Sequence, residues 1–162
     1  SEPDNGTSFE IFLPRTSGPG SRKRQISVER PKVIGQGQRV LVVEDESSVA
    51  AVMARILTRS GYRVSARESL EAARRFFREH AGELHLLIAD VVLPDGNGLA
   101  FVEACLADRP ELKAIVISGY PGEKIGYQDI RDRDLPFLQK PFAVSELLSL
   151  VAKVLYGASA PA

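Results

Sequence analysis

The chain has one cysteine, one methionine and no tryptophan in 162 residues. A lone thiol, Cys105, excludes an intramolecular disulfide and any zinc site built from several cysteines. Net charge is also missing: 21 Lys and Arg stand against 21 Asp and Glu. Duplex-wrapping and polybasic membrane proteins carry a basic excess, so charge gives no support for nucleic acid as a partner. No apolar run approaches the ~20 residues that span a bilayer, which predicts no membrane contact by this segment. Residues 1–6 are polar, with no basic stretch leading into an apolar one, which predicts no secretory leader. These absences together predict a soluble, cytoplasmic domain.

What is present is a globular composition. Hydrophobic residues make up 44% and charged residues 26%, enough to build a core and too many to leave the chain wholly disordered. Glycine and proline are unevenly spread. Nine of the first 38 residues are Gly or Pro, against 14 of the remaining 124. That shift marks the early part as linker. Within it, residues 7–13 (TSFEIFL) have strand character, ending at Pro14. The basic run Arg22, Lys23, Arg24 is too short to hold a polyanion and reads as solvated linker.

From Arg39 onward, short apolar runs alternate with helical patterns. Arg39–Val43 (RVLVV) suits a strand buried on both faces. Ser47 or Ser48 is placed to cap the helix that follows, whose apolar positions are Val49, Val52, Met53, Ile56 and Leu57. Residues 63–66 form a second strand, and Ser69 opens a second helix carrying Leu70, Ala73, Phe76 and Phe77. Residues 84–89 form a third strand with Asp90 at its end. The stretch 93–98 (LPDGNG) is dense in turn residues. Leu99, Val102, Cys105 and Leu106 make a third helical stripe. Lys113–Ser118 forms a fourth strand, residues 136–139 a fifth, and Val144, Leu147, Leu148, Val151 and Leu155 the last helix. Between the fourth and fifth strands, Gly122, Gly126 and the charged run 131–134 leave only Ile125, Tyr127 and Ile130 to anchor a helix, which predicts a short or mobile one.

Strands alternating with helices predict an α/β fold with a doubly wound, five-stranded parallel sheet. In such sheets, ligands bind beyond the carboxyl ends of the strands. That rule selects Glu44, Asp45 and Glu46 after the first strand, Asp90 after the third, Ser118 after the fourth and Lys140 after the fifth. Carboxylates crowded together raise each other's pKa. A hard divalent cation relieves the conflict, and an all-oxygen donor set with few protein groups suits Mg²⁺. A carboxylate flanked by Mg²⁺, an ammonium and a hydroxyl is equipped to attack a phosphoryl group.

The motifs VVEDE (42–46), IADVVLPDGNG (88–98), VISGY (116–120) and FLQKPF (137–142) resemble those of the receiver domain of two-component signalling. The resemblance runs from Arg39 to about Leu155. It implies the flavodoxin-like receiver fold with strand order 2-1-3-4-5. It also implies Asp90 as phospho-acceptor, Asp45 as a direct Mg²⁺ ligand, Glu44 acting through water, and Val92 giving its backbone carbonyl to the metal. Ser118 is then the switch hydroxyl, Phe137 the aromatic switch residue, and Lys140 the lysine before a cis Pro141. Residues 6–15 (GTSFEIFLPR) resemble the closing strand of a histidine-kinase ATP-binding domain. The domain reading is therefore 1–15 as a remnant of that strand, 16–38 as flexible linker, 39–157 as receiver, and 158–162 as tail. The whole resembles the C-terminal end of a hybrid histidine kinase, a reading that leaves membrane anchoring of the parent kinase open. This segment lacks the kinase core and a DNA-binding output domain, and would catalyse only its own phosphorylation and dephosphorylation. The implied partners are a histidine kinase core, in cis or in trans, and a histidine phosphotransfer protein.

Rival readings are a stand-alone single-domain response regulator and a module that gates a kinase core without turning over phosphate. A hydrolase of the aspartyl-phosphate kind is disfavoured, because its second acid would stand where Val92 does. Val92 and Tyr120 flank the expected approach of a hydrolytic water, and neither offers a carboxylate or amide to orient one. His80 and His85 are read as surface or loop residues, and Cys105 as core. Residues 35–37 precede a strand, so they form no dinucleotide fingerprint.

Overall fold

The computed structural model describes residues 10, 12, 35–119 and 135–157. The chain divides into two compact units, Ser1–Arg30 and Pro31–Ala162. The first is described only at Glu10 and Phe12, both exposed. The closing-strand resemblance, Tyr120, the weak helix and the 158–162 tail lie outside the described residues.

The second unit runs β1 (Arg39–Val43), α1 (Ser47–Arg59), β2 (Arg63–Arg67), α2 (Leu70–His80), a 3-10 turn (Ala81–Glu83), β3 (Leu84–Asp90), β4 (Val92–Leu93), β5 (Gly96–Asn97), α3 (Gly98–Asp108), β6 (Lys113–Ser118), β7 (Phe137–Gln139) and α4 (Val144–Tyr156). Five strands form a parallel sheet in the order β2-β1-β3-β6-β7. This is the predicted 2-1-3-4-5 arrangement, with a small antiparallel hairpin, β4 and β5, inserted after the third strand. The turn-rich sequence 93–98 conceals that hairpin, because two residue pairs are too few for an alternating pattern.

Strand periodicity explains the two-layer core. Side chains two apart share a face of the sheet. Leu41, Val43, Leu87, Ala89, Ala114 and Val116 therefore pack with α2 and α3, through Leu70, Ala73, Phe77, Leu99, Phe101, Val102 and Cys105. The alternate residues Val40, Val42, Leu86, Ile88, Ile115 and Ile117 pack with α1 and α4, through Met53, Leu57, Leu147, Leu148 and Val151. Both sheet faces are covered, which is why the central strands read as unbroken apolar runs.

The helix starts follow local chemistry. Ser69 caps α2, accepting from Ala72 N at 3.2 Å, as its position predicts. Asn97 caps α3 in the same way, accepting from Ala100 N at 3.1 Å. The start of α1 differs from the expected serine cap. Glu46 occupies the cap position without a side-chain cap bond, and Ser47 and Ser48 lie inside the first turn, where the Ser48 hydroxyl donates to Glu46 Oε1 at 2.7 Å. The serines are drawn in because Glu46 O already accepts the first intrahelical bond, from Ala50 N.

Gly35 lies within the segment read as linker, yet it is buried. Its N–H donates to Ser60 O at 2.7 Å, and Gly37 N–H donates to Gly61 O at 2.9 Å. A β-carbon on Gly35 would stand 2.7 Å from the Gly61 carbonyl carbon, so this approach needs glycine. Residues 35–37 thus form a strap on the turn between α1 and β2. Among the described residues, no helix is long and apolar enough to cross a membrane.

Candidate functional site

Each strand of the parallel sheet delivers its last residues to one pole. β1 delivers Glu44 and Asp45, β3 ends on Asp90, β6 ends on Ser118, and β7 leads into Lys140. The backbone fixes them there. Glu44 N donates to Arg67 O at 3.0 Å, tying the acid to the end of β2. Lys140 N donates to Ser118 O at 2.8 Å, which places the lysine beside the end of β6. The Lys140–Pro141 peptide bond is cis, as the sequence reading expects.

Glu44, Asp45 and Asp90 each present an oxygen, all within 4.8 Å of one another. Lys140 Nζ reaches into this group. It donates to Glu44 Oε1 at 2.8 Å and to Asp90 Oδ2 at 2.6 Å. The other Asp90 oxygen, Oδ1, accepts from Val92 N at 3.0 Å. Glu44 is 2% exposed and Asp90 7%, whereas Asp45 is open to solvent. One acceptor is left over. Glu44 Oε2 is buried without a hydrogen bond; its 2.6 Å contact with Nζ is an ion pair lacking hydrogen-bond geometry.

The electrostatics follow from this packing. Burial pushes the Glu44 carboxyl above its ordinary range. The Lys140 hydrogen bond and charge pull it back, and the charges of Asp90 and Asp45 push it up further. Burial alone would lower the Lys140 ammonium, but its bonds to Asp90 and Glu44, with their charges, outweigh that and hold it above its ordinary value. The lysine stays protonated between two carboxylates that would otherwise repel each other.

Ser118 is 9% exposed at the end of β6. Phe137, half-buried, pairs in register with Val116 and packs against the core layer of α2 and α3. Val92 is 52% exposed, next to Asp90. Of the predicted residues, Glu44, Asp45, Asp90 and Lys140 form a single cluster, Ser118 and Val92 stand at the same pole, and Phe137 lies at the start of β7, two residues inside the end of β6.

The donor set suits a hard divalent cation. All three acids offer oxygen, one is exposed for entry, and the buried Glu44 Oε2 lacks a hydrogen-bond donor. A family model, the response regulator receiver domain, matches residues 40–152. The chain belongs to that family. The sensor kinase CckA of Brucella abortus (strain 2308) is 32% identical to this chain over 162 residues, covering 96% of this chain and 17% of its own length. The chain thus spans less than a fifth of that curated relative. Among solved structures, the receiver domain from the hybrid histidine kinase CckA is 32% identical, with a TM-score of 0.61, covering 72% of this chain and 98% of that one. The Thermotoga maritima response regulator TrrA, solved in complex with Mg²⁺ and BeF, is 27% identical, with a TM-score of 0.62, covering 73% and 99%.

Two residues of this receiver's site region escape the sequence reading. Gly98 opens α3, and its Cα lies against the backbone of Asp90. Asp95, read only as a turn residue, accepts two backbone N–H groups from α2. A glycine at the first position of a helical stripe, where it is a poor helix former, is the one signal that could have exposed the first. Nothing local exposes the second, because its partners lie 25 and 24 residues away.

The residues set aside stay apart from the cluster. His80 stacks on Phe76 with ring centroids 4.3 Å apart. His85 Nδ1 accepts from Arg39 N at 3.2 Å. Cys105 is 2% exposed, and burial pushes its thiol up to about 12, so it is a core residue and not a nucleophile.

Proposed function

We propose that this receiver accepts a phosphoryl group from phosphohistidine onto Asp90, with Mg²⁺, within a hybrid histidine kinase relay in the cytoplasm. The observation that carries the reading is the contact of Lys140 Nζ with Asp90 Oδ2 at 2.6 Å inside a group of three acids. An Asp90 carboxylate oxygen attacks phosphorus and forms the new O–P bond. The P–N bond breaks, and its electron pair returns to the imidazole, which takes a proton from solvent. Lys140 meets the developing charge on the transferred group, and the Ser118 hydroxyl donates to one of its oxygens. Asp45, Asp90 and the Val92 carbonyl would hold the cation, with Glu44 acting through water. When bound, Mg²⁺ supplies further positive charge to the phosphoryl oxygens.

Phosphorylation adds about −1.5 to −2 charge at neutral pH. Ser118 turns toward that charge, and the space it leaves admits the Phe137 ring, shifting the population between two states. Val92 has no group to orient an attacking water, so the phosphorylated state is long-lived. That suits transfer onward to a histidine phosphotransfer protein.

The hybrid-kinase part rests on the reach of the CckA likeness. It covers 96% of this chain, well beyond the family match at 40–152, and so takes in the segment before the receiver. Incubation with acetyl phosphate and Mg²⁺, followed by intact mass measurement, tests the core of the reading. One stable added phosphoryl group is expected in the wild type and none in Asp90→Asn. Equal uptake by both would overturn the assignment.

A further inference from the structure

Asp95 connects the acidic pole to a helix that supplies none of its charged residues. The first N–H groups of a helix have no intrahelical acceptor. In α2, Ser69 Oγ takes one of them, from Ala72. The two before it, Leu70 N and Glu71 N, donate to Asp95 Oδ1 and Oδ2, both at 3.0 Å. A single carboxylate, reaching in from another part of the chain, therefore completes the N-terminus of α2. The bonds are charge-assisted, and the negative group sits where the helix dipole favours it.

Asp95 stands at the tip of the β4–β5 hairpin, between Leu93 and Gly96, which pair across it. The hairpin begins at Val92, whose N–H holds Asp90 Oδ1. So small a hairpin has no stability of its own. Its described anchors include the packing of Leu93 in the same buried cluster as Leu70, the backbone bonds of Val91 to Ile117 at 2.8 Å and to Gly98 at 2.9 Å at its base, and, at its tip, the grip of Asp95 on α2.

We infer that Asp95 is a positioning residue for the cation site: by holding the hairpin to α2 it sets where the Val92 carbonyl and the Asp90 carboxylate stand. This rests on the reading of the acidic cluster as the Mg²⁺ and phosphorylation site. Asp95 itself touches neither cation nor phosphoryl group. Loss of its grip should leave the strands in place but loosen the hairpin whose Val92 N–H holds the Asp90 carboxylate, so that Mg²⁺ binds more weakly.

The test compares the full chain as wild type, Asp95→Ala, Asp95→Asn and Ser69→Ala. Mg²⁺ affinity is measured by calorimetry and thermal stability by melting. Ser69→Ala weakens the same helix terminus without touching the hairpin, so it controls for loss of helix stability alone. Expected is a roughly tenfold loss of Mg²⁺ affinity in Asp95→Ala, the lower end of what outer-shell partners cost a metal site. Asp95→Asn, which keeps one strong acceptor, should fall between, and Ser69→Ala should melt earlier with wild-type affinity. Phosphorylation by acetyl phosphate in Asp95→Ala should be slow at low Mg²⁺ and recover at saturating Mg²⁺. If Asp95→Ala binds Mg²⁺ as the wild type does, or no more weakly than Ser69→Ala, the inference fails while the site reading stands. If the wild type binds no Mg²⁺, the site reading fails and takes the inference with it.

Discussion

Gly98 stands so close to Asp90 that a β-carbon on it would lie 1.8 Å from the Asp90 carbonyl oxygen. No side chain can be fitted there without moving the backbone of β3 or α3. Gly98→Ala should therefore destabilise the domain by about 1–3 kcal/mol, the usual scale of forced overpacking. It should also slow phosphate uptake, because the displaced backbone carries the Asp90 carboxylate. Urea melts and acetyl phosphate kinetics on the same sample check both. Wild-type stability would show that the α3 terminus is looser than its geometry.

Removing Lys140 should expose the cost of the acids it neutralises. Lys140→Met leaves Glu44, 2% exposed, beside Asp90 with no ammonium between them. Breaking a buried pair from one side costs about 3 kcal/mol at the low end, and the 22% exposure of the lysine side chain places this pair there. Adding Glu44→Gln should recover much of the loss, since it removes the stranded charge. Chemical denaturation of the single and double variants measures this, and an equal loss in both would contradict it.

Acid should loosen α2 through Asp95. The backbone N–H groups of Leu70 and Glu71 hold the Asp95 carboxyl below its ordinary value of 3.8. A depressed carboxylate contributes stability that is fully present above the unfolded value and is lost as pH falls through the folded one. The wild-type advantage over Asp95→Asn should therefore be constant above about pH 5 and shrink below pH 3.8. Melting temperatures of both proteins from pH 7 to the acid limb test this. A gap that is unchanged at low pH would mean that the carboxylate charge adds nothing to the cap.

Most of the fold was legible because strand and helix periods are local. The runs 39–43 and 113–118 and the start of α2 were readable from spacing and caps alone. The cluster was legible for a related reason: parallel strands send their carboxyl ends to one pole, so Glu44, Asp45, Asp90, Ser118 and Lys140 converge by topology. What escaped depends on contacts between distant segments. Asp95 is a turn residue until α2 is folded beside it. Gly35 looks like one more linker glycine until the Ser60–Gly61 turn is packed under it. The serine cap of α1 was misplaced because Ser47 and Ser48 are both plausible caps in sequence, and only the backbone path out of β1 makes Glu46 the entry residue.

The strap at residues 35–37 should matter to stability. Truncation up to residue 34 keeps the bonds from Gly35 to Ser60 and from Gly37 to Gly61, and truncation up to residue 37 removes both. At about 0.5–1.5 kcal/mol per backbone bond, the longer truncation should be roughly 1–3 kcal/mol less stable than the shorter. Gly35→Ala should mimic much of that loss. Identical melting of the two truncations would show that the strap is passive.

The strap enters over the turn that leads into Tyr62, whose phenol is pushed up by burial and, beyond that, by the neighbouring Tyr156 hydroxyl at the end of α4. Both ends of the domain thus emerge at the amino pole of the sheet, and the carboxylate cluster occupies the opposite one. The domain is suspended from a single pole. The described attachment points, Gly35 and Tyr156, are thus remote from the acids, and a circular permutant joining them would place its splice away from the chemistry.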